Sequence, residues 1–136
     1  MVKKLLSILL IVFALQTSFA NDGIAFAKSS YDNAISVAKS QGKLVFLDFT
    51  ASWCLPCKKM ERETFSNKSL GDFVNRNFVS FKVDNDFFWG MDLADKYDVK
   101  SFPTLLVLDT NGNVVKRITG FQTAEGLLGE LRPLAY

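Results

Sequence analysis

Two cysteines, Cys54 and Cys57, are the residues of this 136-residue chain whose type and spacing best support chemistry. Two thiols at this spacing can exchange with a foreign disulfide: one thiol attacks, and its neighbour resolves the mixed disulfide. As a structural brace the pair is weak, because closing so small a loop restricts the unfolded chain by only about 2 kcal/mol. The alternative is a zinc site. It would need carboxylates or a second chain as further ligands, since the sequence holds no histidine and no other cysteine.

The absence of histidine excludes Ser-His-Asp and Cys-His catalysis, histidine-ligated metals and an imidazole base. Asp48, six residues before Cys54, is the best candidate base. It lies within an apolar run, where burial would raise its pKa and let it exchange a proton with Cys57. The alternative is that Asp48 points outward at the end of a strand.

The pattern around the cysteines predicts a strand that ends just before them and a helix that begins at them. A helix N-terminus favours thiolate over thiol, so we expect Cys54 to be the attacking sulfur. Cys57, one turn further on, should be more buried and act as the resolving thiol. Pro56 between them suits the first turn of a helix, because a backbone N–H there has no acceptor within the helix and its absence costs nothing.

Hydrophobic periodicity predicts the elements that must position these residues. The predicted helices cover residues 31–41, 54–65, 68–75, 88–97 and 123–131, and the predicted strands cover residues 43–51, 78–84, 104–108 and 114–119. Helical crossovers make the early strands parallel, and the Asn111-Gly112 pair predicts a hairpin that adds an antiparallel edge. The sequence therefore predicts one α/β domain with a mixed sheet. Residues 21–29 form either a weakly ordered lead or a short extra strand around 24–27.

The first twenty residues have the pattern of a signal peptide, with Lys3 and Lys4 before an apolar run and small residues near Ala20. An uncleaved membrane anchor is the alternative, but the run of about 11 residues is shorter than the ~20 that a spanning helix needs. We expect a signal peptide at residues 1–20 and a domain at residues 21–136 in the periplasm or another extracytoplasmic compartment. That domain carries 14 basic and 14 acidic side chains, which argues against a nucleic-acid partner.

Over about residues 30–132 the sequence resembles the thioredoxin-like family. The shared motifs are W-C-x-x-C-K at residues 53–58, Asp48 upstream, Phe102-Pro103-Thr104 and Gly120. The surrounding residues are most similar to exported thioredoxins and to the C-terminal domain of the thiol reductase DsbD. The resemblance implies a central four- to five-stranded sheet flanked by helices, with Cys54 as nucleophile, Cys57 as resolving thiol and Asp48 as a buried proton relay.

The resemblance also implies a peptide-docking surface. Pro103 would be cis and face the disulfide, the backbone of Phe102 would pair with a bound peptide, and Trp53 and Gly120 would line the surface. Sequence position alone does not predict a cis bond at Pro103. It also allows plainer roles, with Trp53 packed at a strand–helix corner and Gly120 in a tight turn.

Three features depart from the family pattern. The family commonly has a lysine near the buried acid, whereas the position four before Asp84 is Ser80. The dipeptide between the cysteines is Leu55-Pro56 rather than the usual Gly-Pro. The aromatic residues 87–89 are predicted to pack at a helix start, and the alternative is an exposed patch that docks a partner.

These observations predict an exported thiol–disulfide oxidoreductase that acts as a reductase and uses no metal or cofactor. Its partners would be client proteins with disulfides or thiols and a membrane thiol-transfer protein that supplies electrons. The chain is expected to be a monomer. The alternatives are a disulfide oxidase or isomerase, and a redox-silent module that keeps the fold to bind peptides.

Overall fold

A computed structural model describes residues 22–135 of the chain, so the predicted signal peptide lies outside the described residues. The α-helices are α1 (Tyr31–Gln41), α2 (Leu55–Glu63), α3 (Lys68–Asn77), α4 (Phe88–Lys96) and α5 (Ala124–Leu131), and a 3₁₀ turn spans Arg132–Leu134. The strands are β1 (Leu44–Thr50), β2 (Phe78–Asp84), β3 (Thr104–Leu108) and β4 (Val114–Thr119). The predicted element order is confirmed. Between residues 22 and 135 no helix has the length and apolar character needed to span a bilayer.

The four strands form one sheet in the order β2-β1-β3-β4. Strand β1 runs parallel to β2 and antiparallel to β3, and β3 forms an antiparallel hairpin with β4. The hairpin turn is held by Asp109, whose side chain accepts from the backbone amides of Asn111 and Asn113, while Gly112 adopts a positive φ of 81°. The predicted α/β architecture, a mixed sheet with an antiparallel edge, is therefore confirmed.

Strand β1 is buried on both faces because the sheet is covered by helices on each side. Phe46 packs into a cluster with Met60 of α2 and with apolar residues of α3 and α5. Its neighbours Val45 and Leu47 pack on the other face with apolar residues of α1 and α4. This arrangement explains why residues 44–47 are continuously apolar rather than alternating.

The helices begin where the sequence offers capping side chains. Ser30, Asn67 and Thr123 each accept a backbone N–H in the first turn of α1, α3 and α5. Helix α1 ends at Gly42, which has the left-handed φ of 63° common at helix ends. Helix α3 continues two residues beyond the predicted end.

The residues before α1 lie along β2. The amide of Ile24 donates to the Phe65 carbonyl at 2.8 Å, and Phe26 forms a single parallel bridge with Ser80. The backbone of Gly23 is in close contact with the backbone of Gly71, which lies in α3. A Cβ added at Gly71 would lie only 2.6 Å from the Gly23 carbonyl carbon. The leading segment is thus anchored at three points, with one bridge rather than a full strand.

Candidate active site

Cys54 and Cys57 form a disulfide at the start of α2, with their Cα atoms 5.3 Å apart. Strand β1 ends at Thr50, and a short turn brings Cys54 to the N-cap position of the helix. The Cys54 Sγ accepts a hydrogen bond from the Cys57 backbone N–H at 3.2 Å. An amide donor and the positive end of a helix dipole are the groups that stabilise a thiolate at this atom once the disulfide is reduced.

Both cysteines are buried, contrary to the prediction that Cys57 would be the more protected. Their exposed fractions are 3% for Cys54 and 5% for Cys57. They cluster with Ala51, and Phe102 packs against that cluster, so both members of the disulfide are covered. What distinguishes the two sulfurs is the amide hydrogen bond at Cys54, not their exposure.

Asp48 is buried in the middle of the sheet, so the alternative of an outward-pointing side chain is wrong. Only 2% of the residue is exposed, and this burial raises the pKa of its carboxyl from the ordinary 3.8 to about 7. A carboxyl group with such a pKa can both hold and release a proton near neutral pH.

The lysine that the family commonly has near the buried acid is present as Lys82. The prediction that Ser80 takes its place is therefore wrong. The parallel register pairs Asp48 with Lys82, and the lysine's positive charge lowers the pKa of Asp48. Lys82 also forms an ion pair with Glu61 of α2, whose negative charge raises the pKa of Asp48.

The pairing of Asp48 with Lys82 follows from the observed strand starts at Leu44 and Phe78, whereas the predicted first strand began at residue 43. Asp48 and Lys82 are each the fifth residue of their strands, and β1 and β2 start level in the sheet. Counting four residues back from Asp84 leads instead to Ser80, whose buried hydroxyl has no hydrogen-bond partner among the described residues. Glu61 was also missed, although its position four residues after Cys57 puts both on one face of a helix.

A cleft of about 320 Å³ opens beside the disulfide. It is lined by Cys57, by the turn at residues 50–52 and by the charged side chains of Lys58, Glu61, Arg62 and Asp84. Cys57 and Glu61 therefore share one solvent-facing opening.

The other predicted site residues form a connected surface. The Phe102–Pro103 peptide bond is cis, and the Pro103 carbonyl accepts the Gly120 amide at 2.8 Å. The Trp53 ring meets the Phe102 ring edge to face, with centroids 5.7 Å apart. Trp53 is 68% exposed, so it does not fill a strand–helix corner. Gly120 has a φ of 88°, which glycine adopts at little cost.

The aromatic residues at the start of α4 pack only in part as predicted, since Trp89 contacts Phe81 of the sheet but all three rings stay exposed. Phe88 is 86% exposed, and Phe87 and Trp89 are exposed too. Helix α4 instead faces the sheet with small residues, because a Cβ at Gly90 would lie only 2.0 Å from the Asp84 carbonyl oxygen. Large rings cannot fit in that contact, so they lie outside it.

Within residues 22–135 no three cysteine or acidic side chains are arranged to hold a metal ion. The redox and charged groups that the structure brings together at the start of α2 are the disulfide, Asp48, Lys82 and Glu61.

Comparison with known proteins gives one family. A family model described as a thioredoxin-like domain matches residues 31–135. The thiol:disulfide interchange protein DsbD of Yersinia pestis is 35% identical over 99 residues, which cover 71% of this chain and 17% of that protein. The Ralstonia nicotianae protein of the same name is 33% identical over 119 residues, covering 81% of this chain and 19% of its own. The chain thus spans less than a fifth of these relatives.

Solved structures with the same fold include a thioredoxin from Thermus thermophilus, with a TM-score of 0.74 and 25% identity, covering 82% of this chain and 87% of that one. The oxidised C-terminal domain of DsbD from Neisseria meningitidis aligns with a TM-score of 0.65 and 22% identity, covering 81% and 97%. The second likeness concerns the fold alone.

Proposed function

The chain belongs to the thioredoxin-like family, and from this premise we propose that it is an exported thiol–disulfide oxidoreductase that reduces disulfides in client proteins. The observation that carries the proposal is the Cys54–Cys57 disulfide at the N-terminus of α2, with an amide donor on the Cys54 sulfur. A disulfide that spans so few residues contributes little as a brace, whereas its position at a helix start suits exchange.

The reaction proceeds in two exchanges from the reduced protein. The Cys54 thiolate attacks one sulfur of the client disulfide, forming a mixed disulfide and releasing the other client sulfur as a thiolate. Cys57 then loses its proton and attacks the Cys54 sulfur, which releases the second client thiolate and closes the Cys54–Cys57 disulfide. Two electrons pass to the client, whose thiolates take protons from solvent or from the protein.

Asp48 is the proposed acceptor of the Cys57 proton. Its pKa of about 7 suits that task, because the carboxyl is partly ionised at neutral pH and can take up a proton during the second exchange. Glu61 and Lys82 tune this pKa in opposite directions. The cleft shared by Cys57 and Glu61 offers the proton a way out to solvent.

The client would dock on the surface formed by Trp53, Phe102, Pro103 and Gly120. Trp53 is exposed beside the disulfide and is held by Phe102, so it can contact a bound peptide without a large rearrangement. Phe102 would pair with the client through its backbone.

The reductase direction, the export and the electron donor belong to the same proposal. Relatives named as thiol:disulfide interchange proteins support a role in exchange. The chain has no histidine between its cysteines to stabilise a strongly oxidising thiolate. An exported protein is out of reach of cytosolic reductants, so a membrane thiol-transfer protein would have to reduce its disulfide again.

Single-cysteine variants test the mechanism. Cys57→Ser should accumulate mixed disulfides with clients through Cys54, because the resolving thiol is gone. Cys54→Ser is the matched control and should trap none. Equal trapping by both variants would reverse or remove the assigned roles, and trapping by neither would favour a redox-silent binding module.

The reduction potential of the Cys54–Cys57 pair tests the direction. A value near that of thioredoxin, about −270 mV, is the expected result. A value near about −120 mV, typical of a strong oxidant, would favour the oxidase or isomerase instead.

A further inference from the structure

An exposed aromatic patch lies at the start of α4 and has no part in the mechanism above. We define it by Phe87, Phe88, Trp89 and Met91, all exposed to solvent. Trp89 packs against Phe81 of the sheet with centroids 6.0 Å apart and stacks on Phe87 at 6.2 Å with an interplanar angle of 12°. Trp89 is therefore supported by the sheet, and Phe87 is supported by Trp89.

The loop that leads into the aromatic patch is hydrogen-bonded to the turn that precedes the cysteines. The side chain of Asp86 accepts the Ser52 amide at 3.1 Å, and the Asn85 amide donates to the Thr50 carbonyl at 2.8 Å. The contact of Gly90 with the end of β2 fixes the start of the helix in the same place. A polypeptide docked at the disulfide could therefore continue onto the patch.

A groove of about 600 Å³ adjoins the patch through Trp89. Its apolar lining comes from Tyr31, Phe81, Trp89 and Leu93. This volume falls within the range of small-molecule sites, so it is large enough for an apolar side chain of a partner.

The charges around the groove select among the possible occupants. Asp32 and Asp92 line it, Asp86 and Asp95 are exposed on the same loop and helix, and Lys96 is the lysine among the lining residues. A second copy of this chain that docked through the same face would bring carboxylates against carboxylates, and an anionic membrane would be repelled in the same way. A segment that combines apolar side chains with Lys or Arg matches both the rings and the carboxylates.

We propose that the aromatic patch and its groove bind an apolar, Lys- or Arg-bearing segment of the client, next to the disulfide that Cys54 attacks. This inference rests on the proposed function and names the class of client that the site prefers. The patch sets specificity and takes no part in the exchange chemistry.

Three chromogenic peptide disulfides of equal length test the preference. Each joins one cysteine to the same reporter thiol: an apolar-basic peptide has Leu, Phe, Lys and Arg around the cysteine, a polar peptide has Ser for Leu and Phe, and an apolar-acidic peptide has Glu for Lys and Arg. The reduced protein should react with the apolar-basic peptide about ten- to a hundredfold faster than with the polar one, as expected for one buried aromatic contact. Equal rate constants for all three peptides would overturn the proposal.

Phe88→Ser is the main variant, because a residue this exposed can be replaced without disturbing the core. It should remove most of the preference for the apolar-basic peptide and leave the rate with the reporter's own small disulfide unchanged. Val115→Ser, an exposed apolar residue of β4, is the matched control and should leave both rates unchanged. Asp92→Lys should reduce the preference for the apolar-basic over the apolar-acidic peptide.

The small disulfide separates failure of this inference from failure of the proposed function. If the wild-type protein does not react with it, the proposed function fails. If it reacts but Phe88→Ser behaves like Val115→Ser, the inference alone fails. Dimerisation, or binding to phosphatidylcholine and phosphatidylglycerol vesicles, that Phe88→Ser abolishes would assign the patch to a second copy or a membrane and overturn the proposal.

Discussion

The carboxyl of Asp48 couples the stability of the protein to pH. Its pKa is raised from 3.8 to about 7 by burial, so between these values the folded state holds a proton that the unfolded state has released. Stability must then fall as pH rises from about 4 to about 7 and level off above that. The buried carboxyl therefore lowers the stability of the folded protein at neutral pH.

The first prediction follows from that linkage. Between pH 4 and pH 8 the wild-type disulfide form should lose roughly 4 kcal/mol more of its free energy of unfolding than Asp48→Asn does, the value equivalent to the pKa shift. Urea unfolding at several pH values measures this difference. Parallel pH profiles for the two proteins would show that Asp48 is not buried with a raised pKa.

Lys82 and Glu61 give a second prediction with opposite signs. Lys82→Met removes the positive charge that lowers the pKa of Asp48 and should raise that pKa, whereas Glu61→Gln should lower it. The pH at which the Asp48 carboxyl carbon shifts by NMR reports both changes. Lys68→Met, which breaks an exposed ion pair with Asp72 on α3, is the control and should leave the pKa unchanged.

For individual residues, the sequence predicted the cysteine pair, the helix start at Cys54 and the buried acid, since each depends on residues close together in the chain. It missed Lys82 because that residue meets Asp48 only through the register of two strands. Register depends on how whole strands align, which a count back from Asp84 does not measure.

Among the elements, α4 lies tightly against the end of β2 at Gly90. A Cβ there would lie 2.0 Å from a backbone oxygen, so the helix or the end of β2 must move to accept one. The aromatic patch and the turn at residues 50–52 are both attached to this contact.

The third prediction compares two glycines within helices. Gly90→Ala should lower the free energy of unfolding by about 1–3 kcal/mol, the usual cost of overpacking. Gly129→Ala on α5 should be neutral or stabilising by up to about 1 kcal/mol, because nothing lies within 4 Å of its Cβ position. Denaturant unfolding measures both, and an equal effect at the two sites would show that the contact at Gly90 is not tight.

Element types and most boundaries were predictable because the hydrophobic periodicity of each segment is a local property of the chain. The inward face of α4 was not. Met91 is apolar and yet exposed, whereas Gly90 and Ala94 face the sheet. The distance between helix and sheet decides which residues fit, and that distance is a property of the assembled fold.

For the molecule as a whole, stability comes from the two apolar clusters on the faces of the sheet rather than from the disulfide. The fourth prediction is that Cys54→Ser/Cys57→Ser remains folded and loses no more than about 2 kcal/mol of its free energy of unfolding relative to the oxidised protein. Circular dichroism and urea unfolding test this. A variant that fails to fold would show that the disulfide is a structural brace.

The mixed sheet and the single domain were predictable from the order of elements and the hairpin signal. The nearness of the aromatic patch to the cysteines was not, because it arises where β1 and β2 end side by side. Segments more than thirty residues apart, at residues 50–52 and 85–86, meet there through two hydrogen bonds.

The segment before α1 has a consequence for self-association. Strand β2 is the outer strand on its side of the sheet, and its outer N–H and C=O groups are a template on which another chain could add a strand. Phe26 and Ala27 cover part of this template through their contacts with Ser80, and the Gly23–Gly71 contact anchors the cover. A chain shortened to begin at α1 would keep its disulfide, but it would lose Ile24 and Phe26 from the cluster around Phe46 and expose an aggregation-prone edge.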